Sequence, residues 1–160
     1  MSEQKALGAI TRREALLLAA GATIVATGGV VLSLNPAHAD AAMLAESIKK
    51  MIGDKSPQEG KIELELPQIA ENGNTVPVGV TVDSPMTSDN YVKSVHLFAD
   101  GNPRPEIASV HFTDMSGKAQ ASTRIRLART QNIVAVAEMS DGSVYKAAKE
   151  VKVTIGGCGG

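Results

Sequence analysis

Aromatic side chains are nearly missing from this chain. Tyr91, Phe98, Phe112 and Tyr145 supply 2% of 160 residues, and there is no tryptophan. A packed core must therefore come from Val, Ile, Leu, Ala and Met, which a hydrophobic content of 43% allows. Scarce rings speak against stacking on single-stranded nucleic acid. Net charge is also close to nil, at −1, which speaks against a phosphate-backbone binder. Cysteine is reduced to one residue, Cys158. That excludes an intramolecular disulfide and any C-x-x-C pair. Three histidines with no H-x-x-H spacing fall short of the three or four ligands a zinc site needs, so no metal is expected. His96 and His111 read instead as strand residues with satisfied hydrogen bonds. Neither a P-loop, nor a G-x-S-x-G, nor a G-x-G-x-x-G after a strand is present.

What is present is concentrated at the C-terminus. The chain ends Gly156-Gly157-Cys158-Gly159-Gly160, with two glycines on each side of the lone cysteine. A structural cysteine is normally buried or paired, and this one has neither partner nor side-chain neighbours in sequence. Glycine costs the most entropy to order, and termini are where order is weakest. The expectation is a flexible arm over 156–160, reaching about 17 Å when extended. Nothing beside Cys158 is ionisable except the terminal carboxylate, whose charge disfavours the reactive thiolate. The thiol therefore reads as one that partner proteins activate, not as the nucleophile of a thiol enzyme.

The N-terminal 39 residues read as an export signal. Arg12 and Arg13 precede a charge-free apolar stretch from Ala15 to Leu34, and Ala37-His38-Ala39 has the small residues of a cleavage site. The arginine pair marks the twin-arginine route. A membrane anchor is the competing reading of the apolar stretch. Its many Ala, Gly and Thr residues and the cleavage pattern favour the signal. The expected compartment is the periplasm, with no membrane attachment after cleavage. A single cysteine in an oxidising compartment is either an intermolecular linker or a reactive thiol.

Residues 40–155 read as one domain. Leu44, Ile48, Met51 and Ile52 share one helical face, predicting a helix from Asp40 to Ile52, with Asp40 as N-cap and Gly53 as stop. After Gly60 the apolar period becomes two. Strands are expected at Ile62–Leu66, Val76–Val82, Tyr91–Ala99, Ile107–Thr113, Ala121–Leu127, Ile133–Met139 and Val144–Ile155, the last broken near Ala147-Ala148. Pro77 predicts a sheet edge at its position, and Asp141-Gly142 is the strongest hairpin signal. Seven short strands with regular turns and no helix between them predict an all-β, immunoglobulin-like antiparallel sandwich, with a barrel as the alternative. The Arg124/Arg126 pair, with Lys118 and Arg129, could dock an acidic partner or serve only as a solvated face. The same holds for Glu63 and Glu65.

The twin-arginine signal, the small β-rich domain and the full Gly-Gly-Cys-Gly-Gly terminus together resemble the SoxY family of the Sox sulfur-oxidation system. Gly60-Lys61-Ile62 and Asn74-Thr75-Val76-Pro77-Val78 also look like that family's sandwich domain. Ala15 stands where the signal would carry a phenylalanine. The resemblance implies a carrier and not an enzyme. Thiosulfate would be joined oxidatively to the sulfur of Cys158 by a haem-containing partner, and a dinuclear manganese hydrolase would release the outer sulfone as sulfate. A molybdenum-containing sulfane dehydrogenase would act on the remaining sulfur where it exists. The resemblance further implies a heterodimer with a SoxZ subunit, an immunoglobulin-like fold and no cofactor beyond the sulfur held on Cys158. Gly156, Gly157, Gly159 and Gly160 would give the arm its reach and slimness. The alternative is a partner-binding sandwich whose cysteine only makes an intermolecular disulfide.

Overall fold

The computed structural model describes residues 36–157. Arg12 and Arg13 lie outside the described residues, as do Cys158, Gly159 and Gly160. Helix α1 spans Pro36–Ile52, so it begins before Asp40, which stands inside it and not at its cap. The physical reason is local. Proline at the first helical position brings a preset φ and no N–H to satisfy, and alanines 37, 39, 41 and 42 are the best helix formers. Ala37 and Ala39, the expected cleavage residues, therefore fall in the first turn of α1. Gly53 ends the helix as expected, at φ 68°, its N–H bonded to the Lys49 carbonyl at 2.8 Å.

Nine strands follow: β1 Gln58–Glu59, β2 Ile62–Glu65, β3 Ile69–Asn72, β4 Val76–Val82, β5 Val92–Ala99, β6 Glu106–His111, β7 Ala119–Ile125, β8 Gln131–Met139 and β9 Val144–Ile155. Seven of them match the expected strands. One sheet has the order β1-β9-β8-β5-β6, with β3 also on β9, and the other has the order β2-β4-β7. Those seven strands pair only antiparallel with one another, as expected, but the other two need a correction. Both β1 and β3 run parallel to β9, Gln58 opposite Tyr145 and Ala70 opposite Val153. They cover the outer edge of the longest strand, an edge that would otherwise be open to another chain. β9 is also unbroken at Ala147-Ala148, because both alanines pair in register with Ala135 and Val134 of β8. The pairing of β2 with β4 ends at Gly79, so Pro77 has a strand partner only on the β7 side, as expected of an edge. The Asp141-Gly142 signal closes the β8–β9 hairpin. Gly142 has φ 85°, and the Asp141 carboxylate accepts hydrogen bonds from the Ser143 N–H at 2.8 Å and hydroxyl at 2.6 Å.

Period two is what assembles the core. Val76, Val78, Val80 and Val82 of β4 are buried with Val95, Leu97 and Ala99 of β5 and Ile133, Ala135, Ala137 and Met139 of β8. The outer face of the large sheet is apolar where α1 lies on it. Ile52 packs there with Phe98, Val134, Val136 and Val144, flanked by Leu44, Ile48 and Met51, the face predicted from spacing. Burying one such side chain contributes roughly 1.5–3 kcal/mol. The helix is thus held by its stripe and not by its intrinsic propensity. The end of β9 stands at one rim of this packed block.

Candidate functional site

The site is built where β9 ends, because the sequence puts its only thiol just beyond. Three backbone segments distant in sequence converge there. The turn after β3 is shaped by Asn72, whose Oδ1 accepts the Asn74 N–H at 2.9 Å. At its centre the Gly73 N–H donates to the Ile155 carbonyl at 2.7 Å. The Gly73 carbonyl accepts the Leu127 N–H at 2.8 Å, and the Leu127 carbonyl accepts the Gly157 N–H at 2.9 Å. Gly73, Leu127 and Gly157 are all buried. The ring of bonds ties the root of the terminal segment to the ends of β3 and β7.

This contact explains two of the four terminal glycines differently from conformational freedom. None of Gly73, Gly156 or Gly157 has the positive φ seen at Gly53, Gly60, Gly117 and Gly142. Their requirement is space. A Cβ on Gly73 would run into the Leu127 carbonyl oxygen and lie 2.8 Å from the Gly157 nitrogen. One on Gly156 would run into the Ala128 carbonyl, and one on Gly157 would lie 2.9 Å from the Gly73 carbonyl oxygen. All of these obstacles are backbone, which cannot swing aside as a flexible side chain can. Gly156 and Gly157 are therefore held close against neighbouring backbone, and the rest of the expected arm, 158–160, lies outside the described residues.

Asn102 holds the middle segment in place. It is buried in the connection between β5 and β6, where Asp100-Gly101-Asn102-Pro103 reads from sequence only as a turn. Its Nδ2 donates to the Arg126 carbonyl at 2.9 Å. Its Oδ1 accepts the Ala128 N–H at 3.0 Å and the Gln131 Nε2 at 2.8 Å. Asn102 thus brackets Leu127 from both sides. Gly73 and Asn102 are the two residues that sequence reasoning did not connect with the terminus. The available signal is the pair of Asn-Gly and Gly-Asn turns, which say nothing about what a turn touches.

The other candidates are scattered. Lys118, Arg124 and Arg126 are exposed, as are Glu63 and Glu65 on β2. His96 and His111 come together as edge-on rings with centroids 6.1 Å apart, because β5 and β6 are antiparallel neighbours. His96 is satisfied as expected, its Nδ1 2.7 Å from the Ser109 hydroxyl and its Nε2 3.1 Å from the Ser94 hydroxyl. Among the described residues no group of three or more His, Cys, Asp or Glu side chains could hold a metal ion.

Burial pushes His96 below its ordinary value of 6.5, and His111 pushes the same way, while Glu106 and Glu138 pull it back up. The fold therefore prefers neutral His96, and the unfolded chain binds the proton more readily. Stability is full above about pH 6.5 and falls as the pH drops through the window beneath that value. Urea unfolding at pH 7.5 and 5.5 should show a lower midpoint at 5.5. His96→Gln should flatten that difference, and an unchanged difference would assign it to other groups.

Comparison with known proteins agrees with this architecture. The family model described as "Sulfur oxidation protein SoxY" matches residues 48–158. The structure of the sulfur carrier protein SoxY from Chlorobium limicola f thiosulfatophilum is 35% identical, with a TM-score of 0.62, over 72% of this chain and 99% of that one. A superoxide reductase (neelaredoxin) from Ignicoccus hospitalis aligns at 18% identity and TM-score 0.53, over 59% of this chain and 80% of that one. A putative superoxide reductase from Thermotoga maritima aligns at 17% and 0.54, over 61% and 93%. These last two likenesses are of fold alone. A search of curated proteins finds no match. With the family model covering most of the chain through to the lone cysteine, the chain belongs to the SoxY family of sulfur oxidation proteins.

Proposed function

We propose that this protein is a periplasmic sulfur carrier. Thiosulfate-derived intermediates are held covalently on Cys158 and presented to partner enzymes, and the chain itself catalyses nothing. The observation that carries this reading is that the family match extends to residue 158, the only cysteine in the chain. The chemistry is consistent with a passive thiol. Joining thiosulfate to Cys158 forms a sulfur–sulfur bond, releases the thiol proton and gives up two electrons, so an electron-accepting partner is needed. The haem-containing enzyme of the Sox system fills that role. Hydrolysis of the adduct by the dinuclear manganese partner then takes up one water, releases sulfate and leaves one sulfur on Cys158. A molybdenum-containing dehydrogenase consumes that sulfur where it is present, and a SoxZ subunit completes the heterodimer. Export by Arg12 and Arg13 and cleavage after Ala39 bring the chain to that compartment.

Intact-mass spectrometry tests the reading. After incubation with thiosulfate and the haem-containing partner, the protein should gain the mass of one thiosulfate group, localised to the C-terminal peptide. An unchanged mass, or an adduct elsewhere in the chain, would overturn it.

A further inference from the structure

We infer that Gly73 is a positioning residue for the carrier thiol. With Leu127 it forms a backbone clamp that holds the chain leading to Cys158 as far as Gly157, two residues beyond the end of β9. This rests on the carrier reading only where it speaks of delivery. The clamp itself stands on the described residues. Three hydrogen bonds close it in sequence: Gly73 N–H to Ile155, Leu127 N–H to Gly73 and Gly157 N–H to Leu127. Each joins buried or rim backbone, and Gly73 and Gly157 approach too closely for a Cβ on either. A turn glycine whose φ is not positive, whose N–H and carbonyl are both committed and whose missing Cβ would meet the Leu127 carbonyl and then the Gly157 nitrogen has no local reason to be glycine. Its reason is the pair of segments, Leu127 and Gly157, that close over it.

The consequence is geometric. With the clamp closed, the chain is fixed as far as Gly157 at the rim of the sandwich, beside the turn after β3, and Cys158 follows that last clamped residue in sequence. A partner pocket must accept that rim along with the thiol. With the clamp open, the fixed chain ends at Ile155, and Gly156 and Gly157 become free to rotate. Both must be ordered again when the arm enters a partner site, which slows delivery by roughly thirtyfold or more. Specificity for the rim is lost at the same time.

Hydrogen exchange on the isolated full chain reads the clamp without any partner or sulfur compound. The Gly157 amide should exchange at least about tenfold more slowly than in a free peptide of residues 150–160, as expected of a buried, bonded N–H. Gly73→Ala should remove that protection while the β8 amide of Ala135 keeps its own. If Gly73→Ala unfolds the domain, Gly157→Pro, which removes the donor to Leu127 and sets a ring against the Gly73 carbonyl beyond the end of β9, takes its place. It should free the Leu127 carbonyl and raise the mobility of a spin label on Cys158. Gly157 exchanging at the free-peptide rate in the wild type would overturn the clamp, as would full protection in Gly73→Ala or an unchanged label spectrum in Gly157→Pro. Loading of Cys158 by thiosulfate is scored separately by mass. A clamped arm that never loads would reject the carrier reading alone, and a loading arm with an unprotected Gly157 would reject the clamp alone. In the folded clamp variant the loading rate should fall roughly thirtyfold or more, and an equal rate would overturn the positioning role.

Discussion

Cys158→Ser abolishes both the mass adduct and thiosulfate-dependent turnover in a system reconstituted with the partner enzymes. The loss is complete and not partial. A serine hydroxyl can form no sulfur–sulfur bond, and no second cysteine exists to take over. The unfolding free energy of the variant should stay within about 0.5 kcal/mol of the parent, as for an exchange of one atom that disturbs no packing. Among the described residues the buried core is drawn from residues 52–151, and the bonded backbone reaches Gly157. The combination of full loss and unchanged stability separates a carrier thiol from a structural one. A linker cysteine behaves differently. Its serine variant would lose a disulfide-linked dimer on a non-reducing gel, yet keep whatever turnover the reconstituted system shows. Measurable turnover by the serine variant would therefore sink the covalent role of Cys158.

How legible these features were in the sequence depends on how local their causes are. Seven strands could be read because alternation is a property of adjacent residues: Val76, Val78, Val80 and Val82 declare one buried face wherever their partners come from. The stripe Leu44, Ile48, Met51 and Ile52 declares a helix in the same way. β1 and β3 could not be read. Gln58-Glu59 is too short and Ile69-Ala70-Glu71-Asn72 has no polar–apolar alternation, and they are strands only because β9, far along the chain, offers an edge. The same holds at the site. Cys158 and its glycines were visible as a motif, but the reason for Gly156 and Gly157 lies in the backbone of Ala128 and Gly73. Flexibility and close approach both call for glycine, and the sequence alone does not distinguish them. His96 and His111 likewise gave no sign of their meeting, which the β5–β6 register decides.

Asn102→Ala should destabilise the domain by about 3–5 kcal/mol, a large effect for a residue that reads as part of a surface turn. The estimate follows from what the truncation leaves behind. Asn102 is 7% exposed, and its amide serves the Arg126 carbonyl, the Ala128 N–H and the Gln131 Nε2. Removing one partner strands each of the others at about 1–3 kcal/mol apiece when they stay buried. Gln131 offsets part of this, since its Nε2 also donates to the Arg129 carbonyl at 3.1 Å and its Oε1 accepts the Gly101 N–H at 2.7 Å. Chemical denaturation measures the loss, and a change under about 1 kcal/mol would mean that water replaces the amide at no cost. Asn102→Asp sharpens the test. It keeps an acceptor for Ala128 and Gln131 but turns the donor to Arg126 into a repelling oxygen. It should therefore fall between Ala and the parent in stability and still loosen the Arg126–Ala128 segment. Because Leu127 lies at the centre of that segment, both variants should speed exchange at the Gly157 amide beyond what their global stability accounts for. That coupling links a buried turn between β5 and β6 to the last described residue before the thiol.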